Sequence, residues 1–190
     1  VHGAMRALQR AAARSVARAL AQWPEGEQVF ADALDDGTPI RVALRIRHRG
    51  ADAADPLVAR MEIDFSGTGA ASPGNLNAPT SVVRAAVLSV LRSIVAARIP
   101  LNGGCLEPIR LQIPAGSLLD PPRGAAVAGG NVETSQRIVD VLLGALGRAS
   151  ASQGTMNNVA FGDARFGYYE TIGGGAGATP FADGACGVHT

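Results

Sequence analysis

Apolar residues recur along this chain in two rhythms, one of three to four residues and one of two. Near the start, Met5, Leu8, Ala12, Val16 and Leu20 repeat at helical spacing, while Arg6, Arg10, Arg14 and Arg18 fall four apart on a neighbouring face. This predicts one amphipathic helix that ends near Trp23-Pro24. Its arginine stripe suits a solvated face first, and a phosphate group or a partner subunit second. The period then drops to two. Residues 40–47 alternate apolar and polar, and residues 61–65 repeat the pattern after a polar, Pro-containing loop, which predicts neighbouring antiparallel strands. Asp35-Asp36-Gly37 is a turn signal, and residues 29–34 form a plausible strand ahead of it.

Helical spacing returns between residues 80 and 98, where Val82, Val83, Ala86, Val87, Val90, Leu91, Ile94 and Val95 are apolar around most of the helix. Such a helix is buried, and Pro79 and Thr80 are placed to start it. A third helix is predicted over residues 132–148, with Asn131 as N-cap and Ile138, Val141, Leu142 and Leu146 on one stripe. Between them residues 109–113 read as a strand followed by a turn at residues 114–117. Residues 159–161 and 166–171 are short strands around the Asp163-Ala164 turn. The fold class expected is therefore α+β: short, mostly antiparallel strands, about three helices, and glycine-rich polar loops at the strand ends. No repeat or low-complexity linker divides the chain. It reads as one domain or domain fragment, with a helix at 1–23, strands in 27–65, helix–strand–helix over 79–148, and a hairpin with glycine loops over 152–190.

Composition narrows the partners. Of the 190 residues 47% are apolar but only 4% aromatic, so the core must be built from Ala, Val, Leu and Ile, with 24 glycines and 11 prolines making turns. The formal charge of +1 offers no field to collect nucleic acid or an anionic membrane. Cys105 and Cys186 lack C-x-x-C spacing and read as reduced, partly buried thiols. No apolar run approaches the roughly 20 residues that span a bilayer, and a cytoplasmic location is expected. A chain that opens at Val1 and stops at Thr190 without a closing element reads as part of a longer polypeptide.

The chemistry-bearing residues sit in the glycine-rich loops. Residues 64–69, DFSGTG, and 74–79, GNLNAP, lead into the second helix, where amide side chains and free backbone N–H groups suit an anionic or carbonyl group. A dinucleotide fingerprint is excluded because the third glycine is missing. Gly129-Gly130-Asn131-Val132-Glu133-Thr134-Ser135-Gln136 repeats the arrangement at the third helix, although plain capping would also use Asn131. Ser152-Gln153-Gly154-Thr155-Met156-Asn157-Asn158 adds amides, and Glu170 stands at a strand end before the glycines of residues 173–177. Such loops are what a site for a small polar amide needs. Asn75, Asn77, Asn131, Glu133, Gln136, Asn157 and Asn158 are the candidate substrate-binding residues. Glu170 and His189 are the candidate catalytic ones, each with a structural alternative. No histidine has ligand spacing to another, so no metal ligand is assigned. No P-loop or Ser-His-Asp order is present.

Taken in order, DFSGTG with GNLNAP, residues 99–105 (IPLNGGC), 114–121 (PAGSLLDP), 130–137 (GNVETSQR), 152–158 (SQGTMNN) and Tyr169-Glu170-Thr171 with its glycine run resemble the motif series of the hydantoinase B/oxoprolinase family. The resemblance covers residues 35–190. The short 148–152 connection and compact 158–168 hairpin are similar to the 5-oxoprolinase branch. It implies ATP-dependent opening of a small cyclic amide, 5-oxoproline, to glutamate. ATP would be handled by a hydantoinase A-type ATPase domain or subunit, in an oligomer of the full protein. It also implies ATP and a divalent metal in the complete enzyme, with the metal-ligand His and Asp residues upstream of Val1 and no cofactor in this chain. The alternatives are a non-catalytic assembly module that docks the ATPase, and a hydantoinase- or acetone carboxylase-type relative. If Asn77, Asn131, Asn157 and Glu170 converge on one cavity the catalytic reading gains; if they scatter over a flat face, the assembly reading does.

Overall fold

The ten-residue alternation around Ile40 forms the middle of a sheet. A computed structural model describes residues 1–49, 57–95, 102–154 and 158–188. Strand β1 (Gly26–Ala33) pairs antiparallel with β2 (Pro39–His48), and β2 pairs antiparallel with β3 (Ala59–Asp64). In the β2–β3 ladder Leu44 opposes Ile63 and Ile46 opposes Met61. Because opposed residues share a face, all four point to one side and are buried there. The other side of the same strands is polar, with Arg45 2.7 Å from Glu27 and 3.8 Å from Glu62. One face is thus core and the other is a charge ladder.

Strand β4 (Ile109–Gln112) joins β3 in parallel, giving the order β1-β2-β3-β4. The parallel pair follows from the crossover between β3 and β4, which carries helix α2 (Thr80–Ile94). Helix α1 (His2–Leu20) buries Ala12, Val16 and Leu20, and helix α3 (Glu133–Ala145) buries Ile138, Val141 and Leu142. These residues join Val83, Val87 and Val90 of α2 and the apolar face of the sheet in one core cluster. That core is aliphatic as the composition requires, with Phe65 its one large aromatic among the described residues.

Four expectations need correction. The first half of α1 buries nothing: Met5 is 57% and Leu8 52% exposed, so the stripe works only from Ala12 onward. Asn131 is not the N-cap of α3; it closes a single 3₁₀ turn, Gly129–Asn131, and α3 starts after Val132 without a side-chain cap. The same helix stops at Ala145 rather than at 148. Gly147, at φ +58°, lets the Arg148 N–H reach back to the Leu143 carbonyl at 2.9 Å and close the helix. Cys186 is exposed and Cys105 buried, so the two thiols are not alike.

Strands β5 (Asn158–Gly162) and β6 (Gly167–Thr171) form a separate antiparallel hairpin, exposed on both faces. Phe161 lies 4.9 Å from the Tyr168 ring and 6.3 Å from that of Phe166, and all three rings are exposed.

Candidate functional site

The start of α3 is clasped from below by the loop that leads into α2. Gly129 N–H donates to the Asn75 carbonyl at 2.8 Å, and the Thr134 hydroxyl donates to the Leu76 carbonyl. A Cβ at Gly130 would overlap the backbone of Asn77, which is why glycine precedes Asn131. The fully buried Asn77 amide organises this loop. Its Nδ2 donates to the carbonyls of Ser72 (2.9 Å), Ala126 (3.0 Å) and Gly74 (3.1 Å), while its Oδ1 accepts from Ser72 N–H at 2.8 Å. Every polar group of the side chain is engaged, and none is left for a ligand.

The DFSGTG loop is likewise closed on itself, contrary to the expectation of free N–H groups. Asp64 accepts from Ser66 N–H at 2.8 Å, Gly69 N–H donates to the Pro39 carbonyl at 2.8 Å, and Arg41 donates to the Ser66 carbonyl at 2.9 Å. Burial pushes the Asp64 carboxyl up. Ser66, through hydroxyl and amide, and then Arg45 and Arg41 more than offset this, leaving it below the usual carboxylate range.

Above the clasp, the exposed sides of α3's first turns line two cavities. One, of about 380 Å³, lies between α2 and α3 and is lined by Ser81, Ser89, Asn131, Ser135, Gln136 and Val139 among others. The other, of about 260 Å³, is almost wholly polar and is lined by Asp35, Glu133, Gln136, Arg137, Asp140, Ser152, Gln153 and Gly154. Gln136 borders both. Beneath the polar cavity is a connected chain of charge: Arg137 Nη1 lies 2.6 Å from Asp32 Oδ2 on β1 and 3.9 Å from Asp140 Oδ2. Asp140 Oδ1 accepts from Gln136 Nε2 and from Ser152 N–H, each at 3.2 Å. Burial pushes the Asp140 carboxyl above the usual carboxylate range, and the hydrogen bonds from Ser152 and Gln136 and the Arg137 charge only partly oppose it. A third, more apolar cavity of about 510 Å³ lies on the other side of Asp140, between Phe30, Gly144, Ser150 and Pro180.

The remaining candidates lie apart from this group. Glu170 is exposed on β6 opposite Val159, and it accepts from the Tyr168 hydroxyl at 3.3 Å. Asn158 accepts from the Thr171 hydroxyl at 2.9 Å within the hairpin. The glycine run does not open onto a ligand. A Cβ at Gly177 would overlap Ser150, and one at Gly174 would overlap the Gln153 side chain, so the glycines admit the chain's own 150–153 segment. Asn157 and His189 lie outside the described residues. Of the four test residues, Asn131 borders a cavity, Asn77 is buried beneath the loops, and Glu170 stands on the hairpin.

The loop motifs include Ser152 but not Asp32 or Asp140. One signal was present: Asp140 interrupts the apolar run Ile138-Val139-Val141-Leu142-Leu143, although it stands off the Ile138–Val141–Leu142 stripe.

The chain is thus an aliphatic α+β domain with motif loops gathered at the start of α3. The chain belongs to the hydantoinase B/oxoprolinase family, whose description matches residues 1–190. A 5-oxoprolinase 1 from Arabidopsis thaliana is 50% identical over 158 residues, covering 83% of this chain and 12% of the relative. A 5-oxoprolinase from Dictyostelium discoideum is 46% identical over 162 residues, covering 85% and 12%. One from Saccharomyces cerevisiae is 43% identical over 190 residues, covering 92% and 14%. The chain therefore spans only about an eighth of the length of these relatives. Among solved structures, an ATP-dependent caprolactamase from Pseudomonas jessenii shares the fold at TM-score 0.67 and 20% identity, covering 98% of this chain and 34% of that one. A nucleotide-free acetone carboxylase does so at TM-score 0.61 and 15% identity, covering 94% and 27%.

Proposed function

We propose that this chain is part of an ATP-dependent cyclic-amide hydrolase of the 5-oxoprolinase type, and that it supplies the scaffold and polar lining of a small-amide site. The observation that carries this is the 43–50% identity to three 5-oxoprolinases over most of the chain. The balanced reaction takes 5-oxoproline, ATP and two waters to glutamate, ADP, phosphate and a proton. A lactam is inert to water, so phosphorylating its carbonyl oxygen supplies the leaving group. In this reading an A-type ATPase domain or subunit outside these residues binds the ATP. Within the chain, Glu133, Gln136 and Asn131 face the two cavities with hydrogen-bonding groups that orient a small amide. Among the described residues no group of three His, Cys, Asp or Glu side chains could hold a metal ion.

An assembly role is the second reading. It is favoured by the exposed arginines Arg6, Arg10, Arg14 and Arg18 beside Met5 and Leu8, and by the exposed hairpin. The deciding experiment assays the full-length parent for ATP hydrolysis and ring opening with 5-oxoproline and a hydantoin in parallel. ADP and glutamate formed together from 5-oxoproline support the first reading. ATP-dependent turnover of the hydantoin alone, or none with either, contradicts it.

A further inference from the structure

We propose that Asp140 is a positioning residue, whose carboxylate holds the Ser152–Gly154 wall of the polar cavity against α3. The inference rests on the reading of that cavity as the amide-facing side of a cyclic-amide hydrolase. Its geometry is independent of the reaction. Asp140 is 4% exposed, and its Oδ1 accepts the Ser152 N–H at 3.2 Å. Ser152 begins the wall, and Gly154 follows close against the Gln136 side chain of α3. Two further bonds of the wall run outward to the glycine run: Gln153 N–H donates to the Gly175 carbonyl at 3.2 Å, and Gly177 N–H donates to Ser152 Oγ at 3.2 Å. Those glycines in turn pair with residues near 185, not with the core. Through the Ser152 N–H, Asp140 thus links this outer layer to the helix that the sheet supports.

Its own position is set from two elements. Gln136 donates to the same Oδ1 one turn earlier on α3, and Arg137 approaches Oδ2 at 3.9 Å while bound to Asp32 of β1 at 2.6 Å. Asp35 and Glu133 are the other charged groups on the cavity. The carboxylate is fixed from β1 and α3 alike, so what it holds takes its place relative to the sheet. Gln136 borders both cavities and is oriented by the same oxygen. One acceptor thus sets a wall and a lining side chain together.

Three variants of the full-length parent test this. Asp140→Ala removes the acceptor, Asp140→Asn keeps an acceptor oxygen without the charge, and Ser152→Pro deletes the amide from the outer side and leaves α3 intact. Hydrogen–deuterium exchange is followed in peptides covering 150–154 and 173–178, with α3 peptides as the internal reference. Asp140→Ala and Ser152→Pro are expected to raise exchange in both segments at least tenfold while α3 is unchanged. Asp140→Asn restores protection. In the ring-opening assay the same two variants are expected to raise KM at least tenfold with a smaller change in kcat, and the Asn variant to recover most of the loss. Wild-type protection in Asp140→Ala, or in Ser152→Pro should the Ala variant not fold, overturns the proposal. So does an Asn variant that exchanges like the Ala one. If the wild-type parent opens neither 5-oxoproline nor a hydantoin, the functional reading fails while the exchange result still decides the role of Asp140.

Discussion

Asn77 shows how a polar residue in a motif loop can serve the fold. Its amide donates to three carbonyls from inside the protein, so an oxygen in place of Nδ2 would face acceptors only. Asn77→Asp is expected to destabilise the chain by about 3 kcal/mol or more, since buried acceptors lose their donor and a charge enters without a partner. Urea unfolding of the 190-residue chain measures it, and a loss below about 1 kcal/mol contradicts the account. Asp140 makes an opposite pH prediction to that of Asp64. Its carboxyl is raised in the folded state, so its contribution to stability is fully present below the ordinary unfolded value and is lost as pH rises through the raised one. Relative to Asp140→Asn, which cannot titrate there, wild type should gain thermal stability as the pH falls from 7 towards 4. Asp64 is lowered, so its contribution is present above the ordinary value and is lost as pH falls through the lowered one. Melting curves that show the Asp140 difference flat or reversed in sign over this range would count against its burial as the main cause.

At the scale of elements, docking of α1 depends on a 3₁₀ turn, Gly103–Leu106, far from it in sequence. Gly104 is buried there, and a Cβ on it would overlap the backbone of Gln9 in α1. Backbone cannot step aside as a flexible side chain can, so Gly104→Ala must push the helix away from the sheet. A cost of roughly 1–3 kcal/mol is expected, as for overpacked cores. Loss of protection in α1 by hydrogen exchange, with the sheet unchanged, would be its signature; equal loss everywhere would contradict the local account. The far end of α1 is tied differently, with the Arg148 guanidinium 5.0 Å above the half-buried Trp23 ring, which links the ends of α1 and α3.

At the scale of the whole molecule, the described residues form a main aliphatic core, a small cluster of Ala13, Ala17 and Leu57, and a separate hairpin and glycine layer. No described helix is long and apolar enough to cross a membrane. Nothing in the sequence has the glycine–lysine geometry that cradles phosphates. Calorimetric titration of the 190-residue chain with ATP is therefore expected to give no binding in the micromolar range. Micromolar affinity would place nucleotide handling inside this chain and would require the proposed division of labour to be redrawn.

What the sequence determined by itself is what local periodicity and short motifs encode. The alternation in residues 40–47 and 61–65 specified β2 and β3, their facing and their antiparallel pairing, because a half-buried strand must alternate. The apolar surround of α2 declared it buried, and six motifs in order marked the family. Other features depended on contacts between distant residues. The parallel pairing of β4 rests on four residues whose period cannot state a partner. Asn131 looks like a cap but closes a 3₁₀ turn, since the Leu76–Thr134 and Asn75–Gly129 bonds set where α3 begins. The Asp32–Arg137–Asp140 chain includes a pair 105 residues apart, Asp32 and Arg137, and its two α3 members look from sequence like a solvated helix face. Only packing α3 on β1 removes enough water to make that pairing matter, and this is why the fold was legible where burial is periodic and the candidate site was not.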